Sequence, residues 1–151
     1  MITEWNTRWV NSIEYKHTKF FYPEVDTHKA SHLLKHSRST VQLLTRAITG
    51  HNFLSKHQNR IGEAVAPECR LCEEEPERFI HLITTCPRLR QSRIEYLGID
   101  NLEHDEGWKI RDILKYIQST SLYDMLTIKD HYEELLIVDV AHNYSSDASS
   151  N

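Results

Sequence analysis

All three cysteines of this 151-residue chain fall between positions 69 and 86, and that clustering limits what the chain can fold around. They read Cys69-Arg70-Leu71-Cys72, then eight residues, His81, four more residues, and Cys86. An odd number of cysteines in one short window does not make a disulfide framework. Two cysteines spaced by two residues can offer both sulfurs to one ion from a tight turn, and a second ligand pair from a following helix completes a tetrahedron. His81 falls within the helix expected there. Cys86 precedes Pro87, which pushes it out of helical geometry and frees its thiol to turn toward the ion that His81 faces. Three thiolates and one imidazole fill four positions and leave none for water, the pattern of a structural site and not of a catalytic one. The expectation is one structural Zn2+ per chain, held by Cys69, Cys72, His81 and Cys86. Two other readings stay open on the residues alone. Phe79, Leu82, Ile83 and Cys86 share an apolar helical face, so Cys86 could be an ordinary buried thiol. A Cys-x-x-Cys pair also serves redox chemistry.

The rest of the chain reads as helical. There are only four glycines, and strand-like stretches are scarce. Residues 1–25 carry Trp5, Trp9, Phe20, Phe21 and Tyr22 and end at Pro23; they read as an irregular or partly extended arm. Asp26 can cap a helix from Thr27, with Leu33 and Leu34 packing inward. Val41, Leu44 and Ile48 mark one buried face of a helix over 38–49, which Gly50 stops. Asn52 can cap a short helix reaching Ile61, with Leu54 and Ile61 on one side and Lys56, His57 and Arg60 on the other. Pro76 suits the first turn of the helix that carries His81. Pro87 opens a further helix over 88–97, stopped by Gly98. Ile110, Ile113, Leu114 and Ile117 form a full buried stripe, and Leu122, Met125 and Leu126 a shorter one. Asp130 and Glu133 resemble a capping box for a last helix with Tyr132, Leu135 and Leu136. The polar tail from Asn143 reads as disordered. The fold class expected is mainly α: a small helical domain with an embedded Cys-Cys-His-Cys zinc-binding module. Its organisation is an aromatic arm and basic helical region (1–62), the zinc module (63–98), an acidic helical region (99–143) and the tail (144–151).

The net charge of −4 hides an asymmetry. Residues 1–60 hold nine Lys/Arg against four Asp/Glu, and residues 94–151 hold four against twelve. A basic front half attracts phosphate, although charge alone is equally that of a solvated helical surface. No run of about 18 apolar residues exists, so no membrane helix is expected. The first residues lack a basic segment followed by an apolar one, so no secretory signal is expected either, and an intracellular setting, nucleus or cytoplasm, follows.

Several of these segments occur together in a known order. Trp5-x-x-x-Trp9 is followed by Leu43-Leu44-Thr45-Arg46-Ala47-Ile48-Thr49-Gly50-His51, then Leu54 and Arg60-Ile61. After these come Cys69-Arg70-Leu71-Cys72, Pro76-Glu77, His81-Leu82, Cys86-Pro87 and Arg93. The series resembles the C-terminal zinc-knuckle-like region of LINE-like (non-LTR) retrotransposon polyproteins, where it follows the reverse transcriptase and ribonuclease H domains. The resemblance covers residues 5–97 and implies an accessory module that contacts RNA or DNA and is not catalytic by itself. The gap before the histidine is longer than in retroviral knuckles, so a simple nucleocapsid-like mode of binding does not follow. Candidate phosphate contacts are Arg46, Lys56, Arg60, Arg70, Arg88, Arg90 and Arg93, with Trp5, Trp9, Phe53 and Tyr96 as candidate stacking platforms. The alternative is a zinc-stabilised interaction module that docks onto the reverse transcriptase and ribonuclease H domains. An enzyme would need a second ligand or carboxylate cluster. His28, His32 and His36 recur at helical spacing, but no carboxylate motif of the His-Glu-x-x-His kind accompanies them.

Overall fold

The computed structural model describes residues 1–100 and 108–127. Mainly helical, it runs α1 (Ile2–Asn11), α2 (Lys16–Phe21), α3 (Thr27–Leu33), α4 (Arg38–Thr49), α5 (Ser55–Arg60), α6 (Phe79–Thr84), a 3-10 turn (Pro87–Leu89), α7 (Arg90–Leu97), α8 (Ile110–Gln118) and α9 (Leu122–Thr127). Among the described residues there is no β-strand, only one antiparallel bridge between Glu68 and Pro76. None of the described helices is long and apolar enough to cross a membrane. The helix expected after Asp130 and the tail from Asn143 lie outside the described residues.

Where local signals are strong, the helices form as the sequence implies. The Asp26 carboxylate accepts the Lys29 N–H at 2.8 Å and starts α3. Ser37 does the same for Thr40 at the start of α4. α4 buries Leu43, Leu44, Ala47 and Ile48 and ends at Gly50, whose φ of 75° is the left-handed conformation that stops a helix. α8 buries Ile110, Ile113, Leu114 and Ile117, the expected stripe, and also Tyr116.

The first 25 residues depart from expectation, being two helices and not an irregular arm. Ile2, Trp5 and Trp9 do repeat at helical spacing, but aromatic residues are middling helix formers and α1 buries none of its residues. Its anchors are polar: the Trp9 indole N–H donates to the Tyr22 carbonyl at 2.7 Å, and Asn6 Oδ1 accepts the Val25 N–H at 2.8 Å. α2 is fixed from far along the chain. Phe21 is fully buried, with ring centroids 5.7 Å from Phe79 and 5.6 Å from Trp108, and the Trp108 indole N–H donates to its carbonyl at 3.0 Å.

Two apolar residues expected inside are outside. Leu34 follows the last residue of α3, and Ile61 follows the last of α5; each lies past the point where the helical face holds, and each is more than half exposed. The His81 helix also starts late. Pro76 bridges Glu68, and the Glu77 N–H donates to the Pro67 carbonyl at 2.8 Å, so 76–78 run extended and α6 begins at Phe79.

The buried apolar residues form one cluster, to which the stretches before, within and after the cysteine window all contribute. It includes Leu44 and Leu54, Phe79, Leu82 and Ile83, and Ile113, Ile117 and Leu126. Tyr116 is buried at its centre, and its hydroxyl donates to the Leu82 carbonyl at 2.6 Å, tying α8 to α6. Tyr116→Phe strands that carbonyl in an apolar setting, so unfolding by urea should show a loss of about 1–2 kcal/mol with an unchanged m-value.

Candidate metal centre

Cys69 and Cys72 sit on a loop that turns back on itself. The Cys69 N–H donates to the Glu75 carbonyl, and the Glu73 N–H to the Cys69 carbonyl, each at 2.8 Å. The turn needs a left-handed residue, and Glu73 supplies it at φ 62°. His81 comes from the middle of α6. At the end of that helix both the Thr85 and the Cys86 N–H bond the His81 carbonyl, at 3.0 and 2.9 Å, and Cys86 itself leaves helical geometry ahead of Pro87. The last closure returns Cys86 to the side on which His81 lies.

These three pieces bring Sγ of Cys69, Cys72 and Cys86 and one nitrogen of His81 within 4.8 Å of one another. A tetrahedron with metal–sulfur bonds of about 2.3 Å has edges of roughly 3.8 Å, so the group is already near the size a metal requires. Among the described residues no other set of three or more His, Cys, Asp or Glu side chains converges this way. Cys69, Cys86 and His81 are buried, and Cys72 is half-buried.

The surroundings favour ligand chemistry at each atom. His81 Nε2 lies 3.2 Å from the Cys72 sulfur, while Nδ1 meets the Thr85 hydroxyl at 2.9 Å and the Glu75 carboxylate at 3.3 Å. Those partners assign the ring proton to Nδ1 and leave Nε2 as the donor atom, the usual arrangement of a metal-bound histidine. Burial pushes the Cys69 thiol up, against the backbone N–H groups of Cys72 and Leu71 that point at its sulfur. Burial also works to raise Cys72, but the N–H groups of Glu74 and Glu75 outweigh it and hold that thiol below its usual value. Cys86 is pushed up to about 12, first by burial and then by the neighbouring sulfurs, with the Arg88 N–H opposing. Each sulfur thus has backbone dipoles oriented for negative charge. A cation bound among them would supply the rest.

Glu77, which sequence reading did not single out, is the centre's main support. It is completely buried. Its Oε1 accepts the Ser55 N–H at 2.8 Å and the Ser55 hydroxyl at 3.0 Å, and its Oε2 accepts the Arg70 N–H at 2.8 Å. The Arg70 guanidinium grips the same carboxylate at 2.8–3.0 Å. One side chain therefore pins the cysteine loop to the first turn of α5. No local pattern marks such a residue, because a glutamate beside an acidic run reads as solvated.

The expected phosphate contacts divide. Arg93 is a correction: it is 1% exposed, and its guanidinium donates to the Cys86 and Asp100 carbonyls at 2.7 Å each, so no phosphate reaches it in this fold. Arg70 is committed to Glu77. Arg88 bonds the Leu71 carbonyl at 3.2 Å, and Arg90 pairs with Asp100 at 2.7 Å. Arg46 lies over the Phe53 ring, 5.4 Å from its centroid. Lys56 and Arg60 face one cleft, together with His17, His57 and Arg78, none of which had been expected as contacts. Of the stacking candidates, Trp5 is exposed, Trp9 is tied to Tyr22, and Phe53 and Tyr96 are half-buried.

Comparison with protein-family models, with curated proteins and with solved structures found no match to this chain.

Burial alone would raise the Glu77 carboxyl, but the Arg70 side chain and the amides of Ser55 and Arg70 outweigh it and hold it below its usual value of 4.5. A carboxyl lower in the folded than in the unfolded chain adds stability above that usual value and loses it as pH falls through the folded one. Glu77→Gln should cost about 3 kcal/mol at neutral pH, the scale for breaking a buried pair. Denaturation midpoints of the parent should fall as pH drops below 4.5, and this component should be missing in the variant.

Proposed function

We propose that this chain is a zinc-stabilised, non-catalytic, nucleic-acid-binding accessory module of a non-LTR retrotransposon polyprotein, or a remnant of one. The observation that carries the reading is the closed group of Cys69, Cys72, His81 and Cys86. Soft sulfur donors with one imidazole in a compact four-point arrangement suit zinc over the hard, oxygen-seeking cations. All four positions are taken by protein, so a zinc ion there would brace the fold and have no open site for substrate. The order of motifs around the group, together with the basic first stretch, supports the retroelement and nucleic-acid parts of the reading.

The zinc would lock the 69–75 loop to α6 and, through Arg70 and Glu77, to α5. Lys56 and Arg60 on α5 would then be held in register with the loop as a cationic surface for a phosphate backbone. Arg93 acts from inside, fixing the carbonyl of the last ligand, Cys86.

A second reading has its own support. α1 leaves Ile2, Trp5 and Val10 exposed at 56, 54 and 53%. Such apolar side chains suit a module that docks onto neighbouring reverse transcriptase and ribonuclease H domains, with zinc again structural.

Elemental analysis of the purified protein should find one zinc per chain, and none in Cys69→Ser/Cys72→Ser, whose helical circular dichroism should also fall. A well-folded, reduced and zinc-free parent would rule the reading out. Affinity for a single-stranded RNA should weaken with salt, with a logarithmic slope of roughly −2 if about three phosphates are contacted. A salt-independent affinity, or none, would favour the docking module.

A further inference from the structure

Beside α5 lies a cleft of about 270 Å3, walled by His17 of α2, the Thr49–Asn52 turn, Lys56, His57 and Arg60, and by Arg78 and Phe79 at the start of α6. Three permanent cations, Lys56, Arg60 and Arg78, line it, and the carboxylate in its wall is Glu77. That carboxylate does not neutralise them. Both of its oxygens already accept bonds from Ser55 and Arg70, and its charge is paired with the Arg70 guanidinium. Among the described residues neither the Lys56 ammonium nor the Arg78 guanidinium has a hydrogen-bond or carboxylate partner. Arg60 spends one N–H on Nδ1 of His57 at 3.1 Å, which orients that ring.

We propose that this cleft binds a single phosphate group, held by Lys56, Arg60 and Arg78. The proposal deepens the nucleic-acid reading and rests on it for the source of the phosphate, a phosphodiester of an RNA or DNA strand.

Size and chemistry both point this way. Ligand pockets for organic molecules run from about 300 to 1,000 Å3 and are mostly apolar; this one is at or below the small end, and polar atoms supply as much of its wall as apolar ones. It suits a compact anion that accepts several charge-assisted bonds. The histidines register the same field. Burial holds His17 and His57 below the usual imidazole value, and Arg78 pushes the first, and Arg60 the second, further down, with His51 acting on both. The cations are also fixed relative to one another. Lys56 and Arg60 are one turn apart on α5, and Arg78 adjoins Glu77, whose carboxylate holds the Ser55 N–H and whose carbonyl accepts the Lys56 N–H at 3.3 Å. Gly50 lets the opposite wall close in. Its φ is +75°, and a Cβ there would meet the His17 ring at 3.3 Å.

The test titrates the full chain with pyrophosphate and, separately, with a short single-stranded RNA, following backbone amide shifts by NMR. Parent, Lys56→Gln, Arg78→Gln and, as a control for lost charge elsewhere, Arg111→Gln are compared. None of these is a metal ligand, and unchanged metal content and circular dichroism verify the fold. The expected result is that pyrophosphate shifts the amides of 55–60 and 77–79. Its affinity should drop about tenfold in each cleft variant, which corresponds to about 1.4 kcal/mol, and stay level in the control. RNA should shift the same amides and lose affinity in the same two variants. Pyrophosphate binding there without RNA binding would uphold the cleft and overturn the nucleic-acid reading. RNA binding that is indifferent to both cleft substitutions would overturn the cleft and leave that reading standing. Binding of neither would overturn both.

Discussion

A carboxylate with no exposed surface survives as an ion only when cations and N–H donors replace the water it has lost. Glu77 meets that condition through Arg70, Ser55 and the Arg70 amide, and in doing so joins the cysteine loop to α5 through directed bonds. The cysteine loop is held at Arg70, α5 at Ser55, and the extended lead into α6 is Glu77 itself. Apolar packing is non-directional and would let these pieces slide. The bonds to Glu77 have fixed directions. They set the loop at the distance from α6 at which two thiols of the loop and the His81 ring converge.

Around that anchor the four candidate ligands differ in what they can contribute. Burial alone would keep Cys69 and Cys86 protonated, and an apolar wall explains that tendency. The backbone N–H groups of Leu71, Cys72, Glu74, Glu75 and Arg88 pull the other way, toward sulfur that carries charge. An ordinary core thiol has no use for such donors, so their presence weighs against reading Cys86 as mere packing. Arg93 extends the same logic to the far side. A fully buried guanidinium takes up the Cys86 and Asp100 carbonyls and so closes the polar groups that the Pro87 break leaves open.

What could be read from the sequence follows physical lines. α4 and α8 announce themselves because an apolar stripe coincides with burial of that same face, and α3 because Asp26 caps its start although none of its residues is buried. The convergence of Cys69, Cys72, His81 and Cys86 was legible because metal coordination restricts residue type and spacing together. α1 was not: Ile2, Trp5 and Trp9 repeat at helical spacing, but no side chain caps its start and none of its residues is buried. Leu34 and Ile61 misled because an apolar residue just past a helix end reads like one just inside it. Arg93 was read as a surface cation and Glu77 was given no role, and nothing within a few residues of either marks it as buried; that is decided by Cys86 and Asp100 for the first and by Ser55 and Arg70 for the second. Arg78 had a faint signal, as a cation directly after an acidic run and ahead of an apolar helix.

The weak seating of α1 has a consequence for how the molecule opens. A helix with no buried residue, joined to the rest by the Trp9–Tyr22 and Asn6–Val25 bonds and neighbouring surface contacts, can detach at little cost in apolar area. Its amide protons should exchange with solvent through local fraying, those of α4, α6 and α8 only when the whole core comes apart. Whatever engages the face of Ile2, Trp5 and Val10 would also steady the loosest part of the structure, and its affinity would include the entropy of holding that helix down.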